Sequence, residues 1–438
     1  MNLSSNRARR RVAAAAGALL VTTLVTAGCG TQIRGGDDDD TKATLTYWSA
    51  WNVGEAQQEI FETVRTAFTE ETGIDVEVEY LGRQVTQNLI NALGNGTGPD
   101  LFDAGSRNIL DYEGRGFLAD LDELMETDIP GEDISVGESF TDAVREAASG
   151  EEGVGILPTY VNSSAIWFDA SQFPELESDP PQEWDDFIAL LDAQKAEGLT
   201  PLGADGTVPS YNVFWLYQLL VQAEGPGALR SLAEAPENWD QPYVLEAAQR
   251  VQQIVDGGYL QDDYMGTKYP DAQNQWAQGA HSFMLGGSYM EGETRDQQKD
   301  GFTARTFMFP AVPGGTPTVE VTASGLAINA DSKNLDAANQ FLAFAAQEKF
   351  QKLYASEAGF IAARSGVEQP ETLRGLVEQI ENADSVTQSH DLAAALHPSW
   401  WNDILLPLDD ALFSGSITAE EFVARGKEQT AAYLAANG

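Results

Sequence analysis

From Thr44 to Asp103 the chain reads TLTYWSAWNVGEAQQEIFETVRTAFTEETGIDVEVEYLGRQVTQNLINALGNGTGPDLFD, and the order of periodicities in this stretch decides the fold. Thr44 to Trp48 is short, apolar and rich in β-favouring residues, which predicts a strand. Across Glu55 to Glu71, the residues Ile60, Phe61, Val64, Ala67 and Phe68 share one helical face, and Gly73 sits where that helix ends. Ile74, Val76, Val78 and Tyr80 then alternate with charged residues, the period of a second strand. Gln84 to Leu93 returns to helical spacing and stops at Gly94-Asn95-Gly96-Thr97-Gly98-Pro99, after which Asp100 to Asp103 opens a third strand. Strand, helix, strand, helix, strand predicts right-handed βαβ units and a parallel sheet. Ligands of such sheets bind beyond the carboxyl ends of the strands. The loops Ser49 to Asn52, Leu81 to Gln84 and Ala104 to Arg107 are therefore candidate site loops.

Further along, the same logic repeats. Ile166 to Phe168 is strand-like, Trp184, Phe187, Ile188 and Leu191 line a helix, and Val213 to Val221 form another. His281 to Leu285 and Phe302 to Phe309 are strand candidates separated by a loop from Gly286 to Glu293. Val319 to Asn329 reads as one further strand, followed by a helix from Leu335 to Ala346, and the last third is mostly helical, closing with Ala419 to Ala435.

Toward the N-terminus, Arg7, Arg9, Arg10 and Arg11 precede an apolar run from Val12 to Val25 and the small residues Thr26-Ala27-Gly28. Basic, apolar, then small is the layout of a secretory signal peptide, here spanning 1–28. The apolar run is about 14 residues, short of the roughly 20 that span a bilayer. Cys29 follows at once and is the single cysteine of 438 residues, so no intrachain disulfide is available to it. Residues 29–43, with Gly35-Gly36 and Asp37 to Asp40, read as a solvated linker. Without the leader, 21 basic residues face 68 acidic ones, about −47 in all. So acidic a surface repels nucleic acid and anionic membranes and argues against polyanionic ligands. The chain is long enough for two domains, and its 42% hydrophobic content with nine tryptophans is globular.

Several pieces in order resemble the extracellular solute-binding proteins of ABC importers, the family that includes the maltose-binding protein. They are Tyr47-Trp48-Ser49-Ala50-Trp51, Phe68 to Ile74, Gly98 to Phe102, Leu157-Pro158-Thr159-Tyr160, Gly279 to Tyr289, Ser332-Lys333-Asn334, and Trp400-Trp401 with Ile417 to Glu421. The small residues before Cys29 likewise resemble a lipoprotein cleavage site, with Thr26 where that motif usually has leucine. The resemblance implies a two-lobe α/β fold of the Venus-flytrap kind, each lobe a parallel-type sheet flanked by helices, with a hinge and an interlobe cleft. It implies one lobe from 44–159 and 323–378, and another from 160–322 and 379–438. It further implies a monomer without cofactor or metal, tethered by a lipid on Cys29 to the outer face of the cell membrane. That protein would capture a sugar or oligosaccharide and deliver it to ABC permease subunits.

A sugar presents apolar C–H faces, which aromatic rings bury, and a rim of hydroxyls, which carboxylates and amides bind. Candidate ligand residues in cleft loops are Trp51, Asn52, Gln84, Asp103, Ser106, Arg107, Tyr160, Asn162, Ser288 and Tyr289. Trp400, Trp401 and Asp403 open a late helix, and the two adjacent tryptophans point about 100° apart, so one of them belongs to the core. Trp215 and Tyr217 lie on an apolar helix, with core packing as the competing role; Asp103 could instead cap a helix, and Gly325 could let backbone approach the ligand or simply form a turn.

Two alternatives stay open: the same fold binding a non-sugar solute such as a polyamine, and a secreted carbohydrate-active enzyme. Polyamines would suit acidic and aromatic groups, whereas a phosphorylated ligand would want more cations than Arg83 and Arg107. Against an enzyme, Gly286-Gly287-Ser288-Tyr289-Met290 lacks the last glycine of a nucleophile elbow. His281, His390 and His397 are scattered with no cysteine partner, which speaks against zinc, and the Gly94 to Pro99 turn lacks the Lys-Ser/Thr of a P-loop.

Overall fold

The computed structural model describes residues 43–82 and 85–437. The leader, Cys29 and Gln84 lie outside the described residues. In chain order the strands are β1 (Thr44–Ser49), β2 (Asp75–Tyr80), β3 (Leu101–Gly105), β4 (Leu157–Asn162), β5 (Ser164–Asp169), β6 (Leu202–Gly203), β7 (Phe283–Gly287), β8 (Ala304–Phe307), β9 (Val319–Glu320), β10 (Thr322–Ile328), β11 (Ile361–Ala362) and β12 (Val386–Thr387).

The opening stretch folds as its periodicity dictates. β1 runs parallel to β2 and to β3, and the helices Ala56–Thr72 and Val85–Gly94 make the two crossovers. The first helix buries Ile60, Phe61, Val64 and Phe68, and Phe68 meets Phe341 and Phe344 edge-on at 5.1 and 5.4 Å. Burying each such ring contributes roughly 1.5–3 kcal/mol. The helix stops at Gly73, whose φ of 70° is open to glycine and whose N–H reaches the Thr69 carbonyl at 2.8 Å.

The first sheet has the order β11-β4-β10-β3-β1-β2 and the second β6-β7-β5-β8. The parallel arrangement expected for both holds for β1 to β3 and for β6 with β7 only. β10 is antiparallel to β3 and β4, β11 to β4, and β5 to β7 and β8. The reason is the route of the chain. β4 leaves the first sheet, β5 enters the second after the single residue Ser163, and β10 returns to the first sheet beside β4, necessarily in the opposite direction.

Two more expectations shift. The predicted strand from Val319 to Asn329 is split at Val321 into β9 and β10, because β9 pairs instead with β12 in a parallel ribbon. The predicted loop after β7 contains a short helix, Met290–Thr294. The chain thus passes between the two sheets three times: at Ser163, at Val321, and after β12, beyond which Trp400, Leu405, Leu412 and Phe422 pack in the second core. Ser163 and Ser288 tie the first crossing by the Ser288 N–H donating to the Ser163 carbonyl at 2.8 Å. The result is a two-lobe α/β fold with the crossings as its hinge.

Candidate functional site

One wall of the site grows from the ends of β1 and β3. Asp103 accepts from the Tyr47 hydroxyl at 2.5 Å, from Ser49 Oγ at 3.1 Å and from the Ala50 N–H at 2.7 Å. A carboxylate on β3 therefore fixes the turn that projects Trp51. Burial, with Asp103 next in effect, raises the Tyr47 phenol well above its ordinary range. Trp51 lies 6.2 Å from the Tyr160 ring and 6.5 Å from Phe360, while Tyr160 stacks on Phe360 at 4.5 Å and on Tyr354 at 6.1 Å. Half-buried Trp51 and Tyr160 thus belong to one aromatic bank. Arg107 stands exposed at the start of the helix Ser106–Gly114, and its charge reaches His390 of the facing wall.

The second wall is built differently. His390, Asp391 and Leu392 have φ of 51°, 51° and 61°, three successive non-glycine residues in the left-handed region. Such a backbone costs about 1–2 kcal/mol per residue and persists only where its surroundings over-determine it. Here they do. Asp391 accepts the N–H groups of Gly227 at 2.7 Å, Leu229 at 3.0 Å and Arg230 at 3.1 Å, and Thr387 Oγ1 lies 3.3 Å away. Ahead of the turn, the Tyr217 hydroxyl donates to the Gln388 carbonyl at 3.0 Å and the Ser389 N–H to Thr322 Oγ1 at 3.1 Å.

The His390 ring sits 4.8 Å from both Phe214 and Trp401 and 5.8 Å from Tyr217. Burial pushes its pKa down to about 4, so the imidazole is neutral at physiological pH. Trp401 begins a π turn, Trp401–Leu405, inside the helical run Pro398–Phe413. Pro407 has no N–H for the carbonyl four residues back, and the wider turn accommodates that gap.

Between the walls, at the second crossing, Glu320 is buried. It accepts from Ser164 Oγ at 2.9 Å and lies 3.5 Å from Gln218 Nε2, with the Tyr217 and Ser389 hydroxyls also bonding to it. Burial raises its carboxyl to about 7 despite these donors. Tyr211, near the start of the helix Pro209–Glu224, bonds Tyr289 and packs edge-on against Tyr269 at 5.9 Å. A separate groove of about 690 Å³, lined by Thr306, Met308, Val319, Glu378 and Ser385 among others, runs beside the second and third crossings and shares none of the candidate residues.

The sequence profile of bacterial extracellular solute-binding proteins matches residues 50–352. The chain belongs to that family. A binding protein of Brucella abortus (strain 2308) is 24% identical over 317 residues, 69% of this chain and 72% of its own. The multiple sugar-binding protein of Streptococcus mutans serotype c is 26% identical over 223 residues, 49% of this chain and 52% of its own. Among solved structures, the bacterial solute receptor AcbH, described as exclusive for β-D-galactopyranose, aligns at a TM-score of 0.74 and 19% identity over 90% of this chain and 98% of its own. These relatives are binding proteins, and the family is extracellular.

Within this solute-binding protein the candidate residues separate into groups. Trp51, Tyr160 and Arg107 share the first wall. Trp401 stands in the second, and Tyr217, wholly buried behind it, supports the turn through its hydroxyl. Asp103 faces the β1 turn with its carboxylate and does not cap the next helix, where Gly105 occupies the cap position. Asn52 closes onto Glu55, its N–H and Nδ2 donating at 2.8 and 3.1 Å, which organises the start of the first helix.

Six candidates are engaged in the fold's own packing and hydrogen bonds. Trp400 is fully buried with its indole N–H on Thr430 Oγ1 at 2.9 Å, so of the adjacent tryptophans this one is core. Trp215 is buried between Phe187 and Phe309 at 6.2 and 5.8 Å, on a helix buried on nearly every side. Ser106 is buried, takes the Ala323 N–H at 2.8 Å and donates to the Ala147 carbonyl. Asn162 and Ser288 bond each other at 3.3 Å across the first crossing. Gly325 is required by strand packing and not by a ligand, since a Cβ there would lie 1.9 Å from the Leu157 carbonyl oxygen, at an irregularity in the β10–β4 register. Tyr289 is half-buried against Tyr211, and Asp403 is exposed on the π turn.

Sequence reasoning passed over Phe360, Tyr211, Glu320 and His390. Nothing in the local sequence marks the first three, and His390 has no cysteine partner that would flag it; a histidine in the left-handed region leaves no pattern to read.

Proposed function

We propose that this extracellular solute-binding protein captures a carbohydrate between its lobes and delivers it to an ABC importer. The observation that carries the reading is the aromatic bank of Trp51, Tyr160 and Phe360, faced by the ring cluster of His390, Trp401 and Phe214. Rings bury the C–H faces of a pyranose at low entropic cost, and the Arg107 guanidinium supplies N–H donors to hydroxyl oxygens at the edge. The names of the relatives from S. mutans and of AcbH point the same way. The lobes would comprise residues 44–159 with 323–378, and 160–322 with 379–438, closing about the three crossings as ligand selects the closed state. The role is binding by a monomer, not catalysis, and Cys29 would carry the lipid that holds the receptor at the membrane.

Intrinsic tryptophan fluorescence and thermal shift against mono- and oligosaccharides test the reading. A sugar at 100 times its dissociation constant should stabilise the protein by about 2.7 kcal/mol. A clear response to spermidine with none to any sugar would transfer the site to polyamines, and release of product from labelled glycosides would make it an enzyme. For the anchor, Cys29→Ala should shift the protein from the membrane fraction to the medium; retention at the membrane would remove the lipid from the account.

A further inference from the structure

The left-handed turn at His390 does more than close a loop. Its Asp391 is occupied by three backbone N–H groups, and Gln388 and Ser389 are tied to Tyr217 and Thr322. Three anchors from distant parts of the chain thereby hold one side chain, His390, in a fixed position beside Phe214 and Trp401. The ring's hydrogen bonds also settle its tautomer. Nε2 lies 3.2 Å from the Ser210 carbonyl, which can only accept, so Nε2 carries the proton. Nδ1 is then a lone-pair acceptor, with the Ser389 hydroxyl 3.3 Å away, on a ring reached by the Arg107 charge of the facing wall.

An acceptor on a rigid, neutral ring, opposite a guanidinium that can only donate, is a complementary pair for a hydroxyl-bearing ligand. We propose that His390 is the specificity-determining residue of the second wall, its Nδ1 accepting a hydrogen bond from one sugar hydroxyl while the left-handed turn fixes where that hydroxyl must be. The assignment rests on the carbohydrate reading of the cleft. Sites of this kind discriminate, because a ligand lacking the hydroxyl leaves Nδ1 only the 3.3 Å contact with Ser389, whose hydroxyl also bonds Glu320.

Calorimetric titration of the full chain with galactose, raffinose, maltotetraose and chitobiose, on wild type, His390→Asn and His390→Phe, tests it. Asn tolerates the left-handed backbone but removes the ring; Phe keeps the ring and removes the nitrogen. Both variants should melt within a few degrees of wild type and lose ten-fold or more in affinity for the sugar that wild type binds. Against monodeoxy analogues of that sugar, wild type should lose ten-fold at one position, and His390→Phe should lose nothing further at that position. Variants that bind within two-fold of wild type, or that keep the same hydroxyl preference, overturn the assignment and leave the carbohydrate reading standing. A wild type that binds none of the four sugars overturns the carbohydrate reading and the assignment with it.

Discussion

The two walls of the cleft solve one problem by opposite means. The first is assembled from relaxed strand ends: β1 and β3 are neighbours, and Asp103 on one strand ties down the turn of the other. The second is a strained turn held by contacts from residues some 160–180 positions away, at Ser210, Gly227 and Arg230. One wall offers ring faces, the other a single polar atom in a ring cluster. Where recognition is by area, ordinary backbone suffices; where one atom must be placed, the fold accepts strain and surrounds it with anchors.

Removing the anchor of the strained wall should have the largest effect. Asp391→Ala removes the acceptor of three N–H groups, that of buried Leu229 among them, and frees the turn, and should lower unfolding free energy by about 3 kcal/mol in urea titrations. A loss below 1 kcal/mol would mean that the turn holds itself. Next comes Glu320, beside the same wall. Because burial raises its pKa from 4.5 to about 7, the folded state holds the proton more tightly than the unfolded chain. Its contribution is complete below about pH 4.5 and is lost as pH rises to 7, by roughly 3 kcal/mol in all. Wild type should therefore lose that much relative to Glu320→Gln between pH 4.5 and 8; parallel stability curves would show that the carboxyl is hydrated.

The relaxed wall should respond less. Asp103→Asn keeps the shape but weakens three hydrogen bonds, and should cost about 1–2 kcal/mol while shifting the Trp51 fluorescence contribution. An effect as large as that of Asp391→Ala would erase the contrast between the walls. Smallest, Trp400→Phe should cost about 1 kcal/mol and leave ligand affinity within two-fold, whereas Trp401→Phe should change affinity; the reverse result would exchange their roles.

What could be read without the fold follows the same divide. β1 to β3 and their helices were legible because each is amphipathic on its own, and Gly73 marks a true left-handed stop. Trp51 stands out in the sequence because it follows the end of β1, and Tyr160 because it lies just before the first crossing. The antiparallel strands were not legible, since the direction of β10 depends on where the chain returns, not on its own residues. Trp400 and Trp401 are adjacent and chemically identical, and only the π turn and Thr430 tell them apart. His390 depends on backbone angles that its neighbours in space impose.

The strand order has a consequence for how the molecule is made. β10 lies between β3 and β4, so both keep an unpaired edge until residue 328 of 438 has been synthesised. No nascent segment shorter than this can close the first sheet, and the long-range pairings it awaits form slowly. The N-terminal half therefore stays unlocked while it is still being made, and the finished sheet, β11 included, becomes possible only once residue 362 of 438 is available.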